Sequence, residues 1–142
     1  MASLLGKEAG LYMPSGTMSN LTAVLVHCWG RGSEIVVGDG SHIYRWEQGG
    51  VAQLGGVHTR TVKNREDGTF SIKDLRTAIQ YDDQHLAVTS LVAIENSHNG
   101  LGGRAVPLHW IRDVATVCRE NKIPLHCDGA RWGRAQQQQQ QQ

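Results

Sequence analysis

Short strand-like runs separated by stretches of helical spacing constrain this chain more than any other feature. Glu34-Ile-Val-Val-Gly38, Thr89-Ser-Leu-Val-Ala-Ile94 and Pro124-Leu-His-Cys127 are compact apolar runs, and Val57 to Lys63 alternates. Apolar runs this short, bounded by turn residues, suit strands buried within a sheet. Between them, Thr17 to Trp29 carries Met18, Leu21, Val24, Leu25 and Cys28 at helical spacing, and His42 to Gln48 reads as a short helix ended by Gly49-Gly50. Ser71, with Asp74 three residues on, predicts a capped helix running through Leu75 and Ile79. Leu108 to Lys122 sets Leu108, Ile111, Ala115 and Cys118 along one helical face. The alternation predicts an α/β fold, a mainly parallel sheet with flanking helices on both faces.

Composition narrows the function classes. A chain of 142 residues suits one domain with a substantial core. Fourteen Lys plus Arg against thirteen Asp plus Glu leave no basic excess, so nothing favours nucleic acid as a partner. Three cysteines without framework spacing point to a reducing compartment, and the expected setting is cytoplasmic. His27-Cys28 and His126-Cys127 could suggest a metal site. Neighbouring strand residues point to opposite faces, however, and no CxxC pair exists, so no metal is expected. No secretory signal is expected from the start Met1-Ala-Ser-Leu-Leu-Gly-Lys7, and no apolar stretch reaches membrane-spanning length. Residues 136–142 are all glutamine, a low-complexity tail expected to be disordered outside a folded unit of residues 1–135.

Every chemically suggestive group follows a strand or opens a helix. Gly16, Thr17 and Ser19 combine free backbone, hydroxyls and a helix N-terminus, a setting for phosphate, although Ser15 or Thr17 could simply cap the helix. His42, just after a strand, could stack on a planar ring or bond the local backbone. Glu95 and His98 follow the next strand in a glycine-rich loop and could move a proton, or belong to a polar loop with a solvated histidine. Asp128 directly follows apolar strand residues and needs a partner. Arg131 is the local candidate, in a site or in a structural pair. At one edge of one sheet, these are the groups that pyridoxal phosphate chemistry uses: a phosphate anchor, a ring stacker, a carboxylate for the ring nitrogen and an arginine.

Longer segments sharpen that picture. Met1 to Leu21 (through Pro14-Ser-Gly-Thr-Met-Ser-Asn20), Glu95-Asn-Ser-His-Asn99 and His126-Cys-Asp-Gly-Ala-Arg131 resemble the corresponding segments of low-specificity L-threonine aldolases. These belong to the aspartate-aminotransferase-like, fold-type I pyridoxal 5'-phosphate enzymes, and the resemblance runs from Met1 to about Ala135. It implies part of the large domain of that fold. It also implies cleavage of L-threonine or L-allo-threonine to glycine and acetaldehyde, and a homo-oligomer, a homotetramer when complete. By resemblance, Gly16 and Thr17 hold the cofactor phosphate and His42 stacks on its ring. Asp128 pairs with the ring nitrogen, Arg131 binds the substrate carboxylate, and His98 assists deprotonation of the substrate hydroxyl. The family's Schiff-base lysine lies downstream of Asp-Gly-Ala-Arg, whereas Lys7, Lys63, Lys73 and Lys122 all lie upstream of it. By the resemblance, the family's N-terminal arm and smaller C-terminal domain are expected to have no counterpart in residues 1–142. The expectation is therefore a truncated chain, inactive alone, or a non-catalytic fragment that associates with full-length subunits; another pyridoxal-phosphate lyase of the same fold is the remaining alternative.

Overall fold

In the computed structural model, which describes residues 2–130, four strands form a single sheet. They are β1 (Ser33–Gly38), β2 (His58–Val62), β3 (Val88–Glu95) and β4 (Leu125–Asp128). All three pairings are parallel, and the spatial order is β2-β1-β3-β4. The helices are α1 (Gly16–His27), α2 (His42–Arg45), α3 (Gly50–Gln53), α4 (Ile72–Ala78) and α5 (Leu108–Glu120). The α/β expectation is met. The expected boundary at Ala135, the glutamine run and Arg131 lie outside the described residues.

The sheet is buried on both sides because the strand pleat alternates apolar side chains between two helical layers. Ile35 and Val37 of β1, with Leu91 and Ala93 of β3, pack against Val24, Cys28, Ile43 and Val51 from α1 to α3. Val36, Val92 and Ile94 face the other way, onto Phe70, Leu75, Trp110, Val114 and Val117 around α4 and α5. Trp110 anchors that second layer. Its ring meets Phe70 edge-on at 4.8 Å between centroids, and its indole N–H donates to the Phe70 carbonyl at 2.8 Å.

Two helices bury only part of the faces that their apolar spacing predicts: Val24 and Cys28 of α1 and Cys118 of α5 are in the core, and Ile111 packs against it. In α1, Met18 and Leu25 are 48% and 42% exposed. The line against the sheet is Asn20, Val24 and Cys28, three positions four residues apart that include a polar side chain. In α5 the buried line is Trp110, Val114, Val117 and Cys118, and Leu108 is left largely exposed. Apolar residues lie on more than one side of each helix, so spacing alone selects no single stripe. Gly49-Gly50 also does not end helical structure. Gly49 turns the chain at φ +64° and α3 begins at the next residue. The caps behave as expected: the Ser15 hydroxyl accepts from Met18 N at 3.1 Å and Ser71 from Asp74 N at 3.3 Å.

At the N-terminal end of the sheet, one fully buried carboxylate ties three strands together. Glu34 of β1 accepts from Arg60 Nε of β2 at 2.9 Å and from Thr89 Oγ1 of β3 at 2.8 Å. Its charge is compensated by the guanidinium, which keeps a third of its side chain in solvent and so escapes the full cost of burial. Arg60→Met, which keeps the aliphatic stem and removes the charge, is expected to lower stability by about 3 kcal/mol. The measurement is urea denaturation. Arg60→Lys, which keeps a charge but not the planar fork, should recover part of the loss.

Candidate active site

The strand order creates a crevice. From β1 the chain crosses to β2 on one side, and β3 then lies on the other side of β1. The segments leaving the C-terminal ends of β1 and β3 therefore part company, and such a switch point is where open α/β sheets bind ligands. Ser41, His42, Glu95, His126 and Asp128 line the cleft. Each is placed by its strand: Ser41 and His42 follow β1, Glu95 ends β3, and His126 and Asp128 share one face of β4.

A hydrogen-bonded network forms the floor. Asp128 Oδ2 accepts from Asn20 Nδ2 at 2.9 Å, and Oδ1 accepts from the backbone N–H of Ala130 at 3.1 Å. The same Asn20 amide donates to Glu47 Oε1 at 2.8 Å, and that oxygen lies 2.9 Å from His42 Nδ1. A carboxylate only accepts, so His42 donates through Nδ1 and presents its Nε2 elsewhere. Nε2 of His126 stands 2.9 Å from Asn20 Oδ1, which makes it the donor there. Burial, reinforced by His27, holds the His126 pKa below the usual histidine value, while Asp128 and Glu47 pull the other way. Neutral His126 is thus the form this floor accommodates. The donor atoms of His42, Glu47 and Asp128 lie within 4.8 Å of one another, a spacing a cation could use. Here the Asn20 amide already bridges the two carboxylates, and the His42 ring N–H is bonded to Glu47.

Glu95 fixes the rim. Its Oε2 accepts from the backbone N–H of His42 at 2.8 Å and its Oε1 from that of Asn99 at 2.8 Å, joining the loop after β1 to the loop after β3. His98 lies below that rim. It is 1% exposed, with Nδ1 4.0 Å from Glu95 Oε2. A Cβ on Gly68 would stand 3.1 Å from the His98 Cβ, and one on Gly40 would stand 3.5 Å from its Cε1. The solvated-loop reading of His98 is therefore wrong: glycine backbones let the ring sink into the interior. Gly16 and Thr17 are exposed at the start of α1, with open space around Gly16. Their N–H groups belong to the first turn, which has no acceptor inside the helix.

The structure thus joins His42 and Asp128 directly to one network and sets Gly16 and Thr17 one helical turn from Asn20, with His98 packed beneath. Arg131 lies outside the described residues. The partner found for Asp128 is Asn20, 108 residues away in sequence. Asn20 and Glu47 are the functional candidates that the sequence did not single out. Their only signal is a polar residue on the Val24–Cys28 row and an acid five residues after His42. The cysteines take no part in this network. All three are free, and burial pushes the thiols of Cys28 and Cys118 up to about 11.

The chain matches the family model described as "Beta-eliminating lyase" over residues 1–141. It is 49% identical over 133 residues to an Arabidopsis thaliana protein named "Probable low-specificity L-threonine aldolase 2", covering 92% of this chain and 38% of that one. It is 40% identical over 130 residues to the low specificity L-threonine aldolase of Escherichia coli K12, with the same coverage of 92% and 38%. Its fold matches that of a threonine aldolase from Leishmania major with a TM-score of 0.80 at 24% identity, over 92% of this chain and 38% of the other. The chain spans little more than a third of the length of these relatives.

The lowered pKa of His126 has a sign that can be measured. As pH falls, the unfolded chain takes up the imidazole proton before the folded one does, so stability drops. The contribution is fully present above the ordinary histidine value, about 6.5, and is lost as pH falls from there toward the lowered value. Urea midpoints between neutral and mildly acidic pH should fall more steeply for the native chain than for His126→Gln.

Proposed function

The chain belongs to the beta-eliminating lyase family, and on that footing we propose that it carries part of the active site of a pyridoxal-phosphate-dependent threonine aldolase. The reaction is cleavage of L-threonine or L-allo-threonine to glycine and acetaldehyde. One observation carries this reading. Asp128 ends a strand of a parallel sheet, oriented by an α1 side chain, and the free N–H groups of that helix lie one turn away.

The donor set suits the cofactor at both of its ends. Gly16 and Thr17 offer backbone N–H groups and a hydroxyl at a helix N-terminus, where an anion is favoured. The Asp128 carboxylate suits a protonated ring nitrogen, and His42, a third of its side chain exposed, suits a stack on the ring. When bound, pyridoxal phosphate supplies an electron sink for the carbanion that cleavage leaves on the substrate Cα. Asp128 keeps the proton on the ring nitrogen. Arg131 binds the substrate carboxylate.

The substrate hydroxyl must also lose its proton for the Cα–Cβ bond to break. Two histidines are candidates. His98 is the one implied by resemblance, but its ring is packed under Gly40 and Gly68. His42 lines the crevice and donates through Nδ1 to Glu47, which leaves the lone pair on its Nε2. We assign proton acceptance to His42, directly or through a water, and to His98 the support of the rim through Glu95.

Among the described residues, none of those lining the crevice is a lysine. Lys63 pairs with Asp39 at 3.0 Å, and Lys7 borders a separate cavity with Leu5, Cys127 and Gly129. The proposal is therefore that this chain, taken alone, holds the cofactor without a covalent bond and does not turn substrate over. A second reading, association with full-length subunits of a homo-oligomer, is favoured by the exposure of Leu11, Tyr12, Val26 and Trp29, at 77%, 91%, 63% and 88%. The three free cysteines suit a reducing, cytoplasmic setting for either.

The experiment is titration of the purified chain with pyridoxal phosphate, followed by an assay for acetaldehyde from L-threonine. Expected are saturable non-covalent binding, weakened roughly tenfold or more in Asp128→Asn, and no acetaldehyde. Acetaldehyde release by the native chain that disappears in Asp128→Asn would sink the non-catalytic part of the proposal. Binding that ignores Asp128→Asn would sink the assignment of the site.

A further inference from the structure

Asn20 is a polar side chain on the buried row of a helix, 3% exposed, where an apolar residue would cost nothing to bury. Its amide is used in full on the site side. The two N–H bonds go to carboxylates of two different elements, Glu47 at 2.8 Å and Asp128 at 2.9 Å, and its oxygen accepts from His126 at 2.9 Å. Turned over, the amide would set its oxygen against both carboxylates, so the network fixes its orientation. The partners lie 27, 106 and 108 residues away in sequence, and neither Glu47 nor Asp128 has another side-chain donor joining it to the other among the described residues.

We infer that Asn20 is a positioning residue for the carboxylate that meets the cofactor's ring nitrogen. It holds Asp128 and Glu47 side by side against their mutual repulsion, and it ties Asp128 to the helix whose N-terminus receives the phosphate. The inference rests on the pyridoxal-phosphate reading for its ligand. Its consequence is selective. Loss of the amide releases the ring end of the site while the phosphate end, Gly16 and Thr17, stays intact one turn away. It also lets the Asp128 carboxylate turn from the ring, so that a bound pyridine gives up its N–H proton at lower pH.

The probes are pyridoxine 5'-phosphate, which has no aldehyde and so needs no lysine, and inorganic phosphate. Two variants are compared with the native chain. Asn20→Leu removes all three hydrogen bonds at similar volume. Asn20→Asp keeps the oxygen that His126 donates to and removes both N–H donors, which provides a second test where the leucine variant does not fold. In both, pyridoxine 5'-phosphate affinity is expected to fall about tenfold or more, with inorganic phosphate unchanged. The ultraviolet titration of the bound ring should shift toward that of the free ligand. An unchanged affinity and ring titration in a folded variant would overturn the inference, as would equal losses for the two probes, which would mark a general structural role. Should the native chain take up no pyridoxine 5'-phosphate, the cofactor reading fails, and Asn20 is judged in the free protein by NMR. The Asp128 carboxyl ¹³C signal must then move in both variants, and the His126 Nε2–H must lose its hydrogen-bonded signal in Asn20→Leu while keeping one in Asn20→Asp; an Asp128 signal that stays put overturns the inference on its own.

Discussion

Parallel pairing is the constraint on which the rest depends. Two parallel strands cannot be joined by a tight turn, so after each strand the chain must cross a face of the sheet and return to its starting edge. Four such strands put every C-terminal end on one edge and cover both faces with helices. Residues scattered from 42 to 128 therefore converge without any local signal that they will meet. The order β2-β1-β3-β4 then opens the crevice between the loops after β1 and β3.

Charge is handled differently at the two ends of the sheet. At the N-terminal end, Glu34 is fully buried and is matched by a guanidinium and a hydroxyl, with the His58 imidazole 3.9 Å away. That is a closed, structural arrangement. At the C-terminal edge, Glu47 and Asp128 share one neutral amide, with His42 bonded to Glu47, His126 bonded to the amide oxygen, and no guanidinium in the described network. Two acids held close by neutral donors form a site with negative character left over, which favours a cationic ring. The free first-turn N–H groups of α1 favour an anion nearby. A ligand with a protonated ring at one end and a phosphate at the other satisfies both.

Much of the fold was legible in the chain because short apolar runs report burial directly. All four strands and the longer helices fall where patterning predicts them. The faces of α1 and α5 were only partly legible. Met18 and Leu25 are as apolar as Val24, and only the position of the sheet decides which row is buried. The site divides in the same manner. His42 and Asp128 stood out because a polar residue at a strand end needs a reason. Asn20 and Glu47 did not, since a helical asparagine and a loop glutamate are ordinary until their partners are known. His98 looked like a loop residue, and only three-dimensional packing shows Gly40 and Gly68 closing over it.

The sequence by itself determined the α/β class, the two-sided burial of the sheet and the residues that follow its strands. Each of these follows from local periodicity and turn chemistry, which act over a few neighbours. The tertiary structure decided which of those residues meet. It chose Asn20 as the link between Asp128, Glu47 and His126, turned His42 toward Glu47, and buried His98. The reason is physical: hydrogen bonds between groups about a hundred residues apart exist only once the crossovers have brought strand ends and helix starts to one edge.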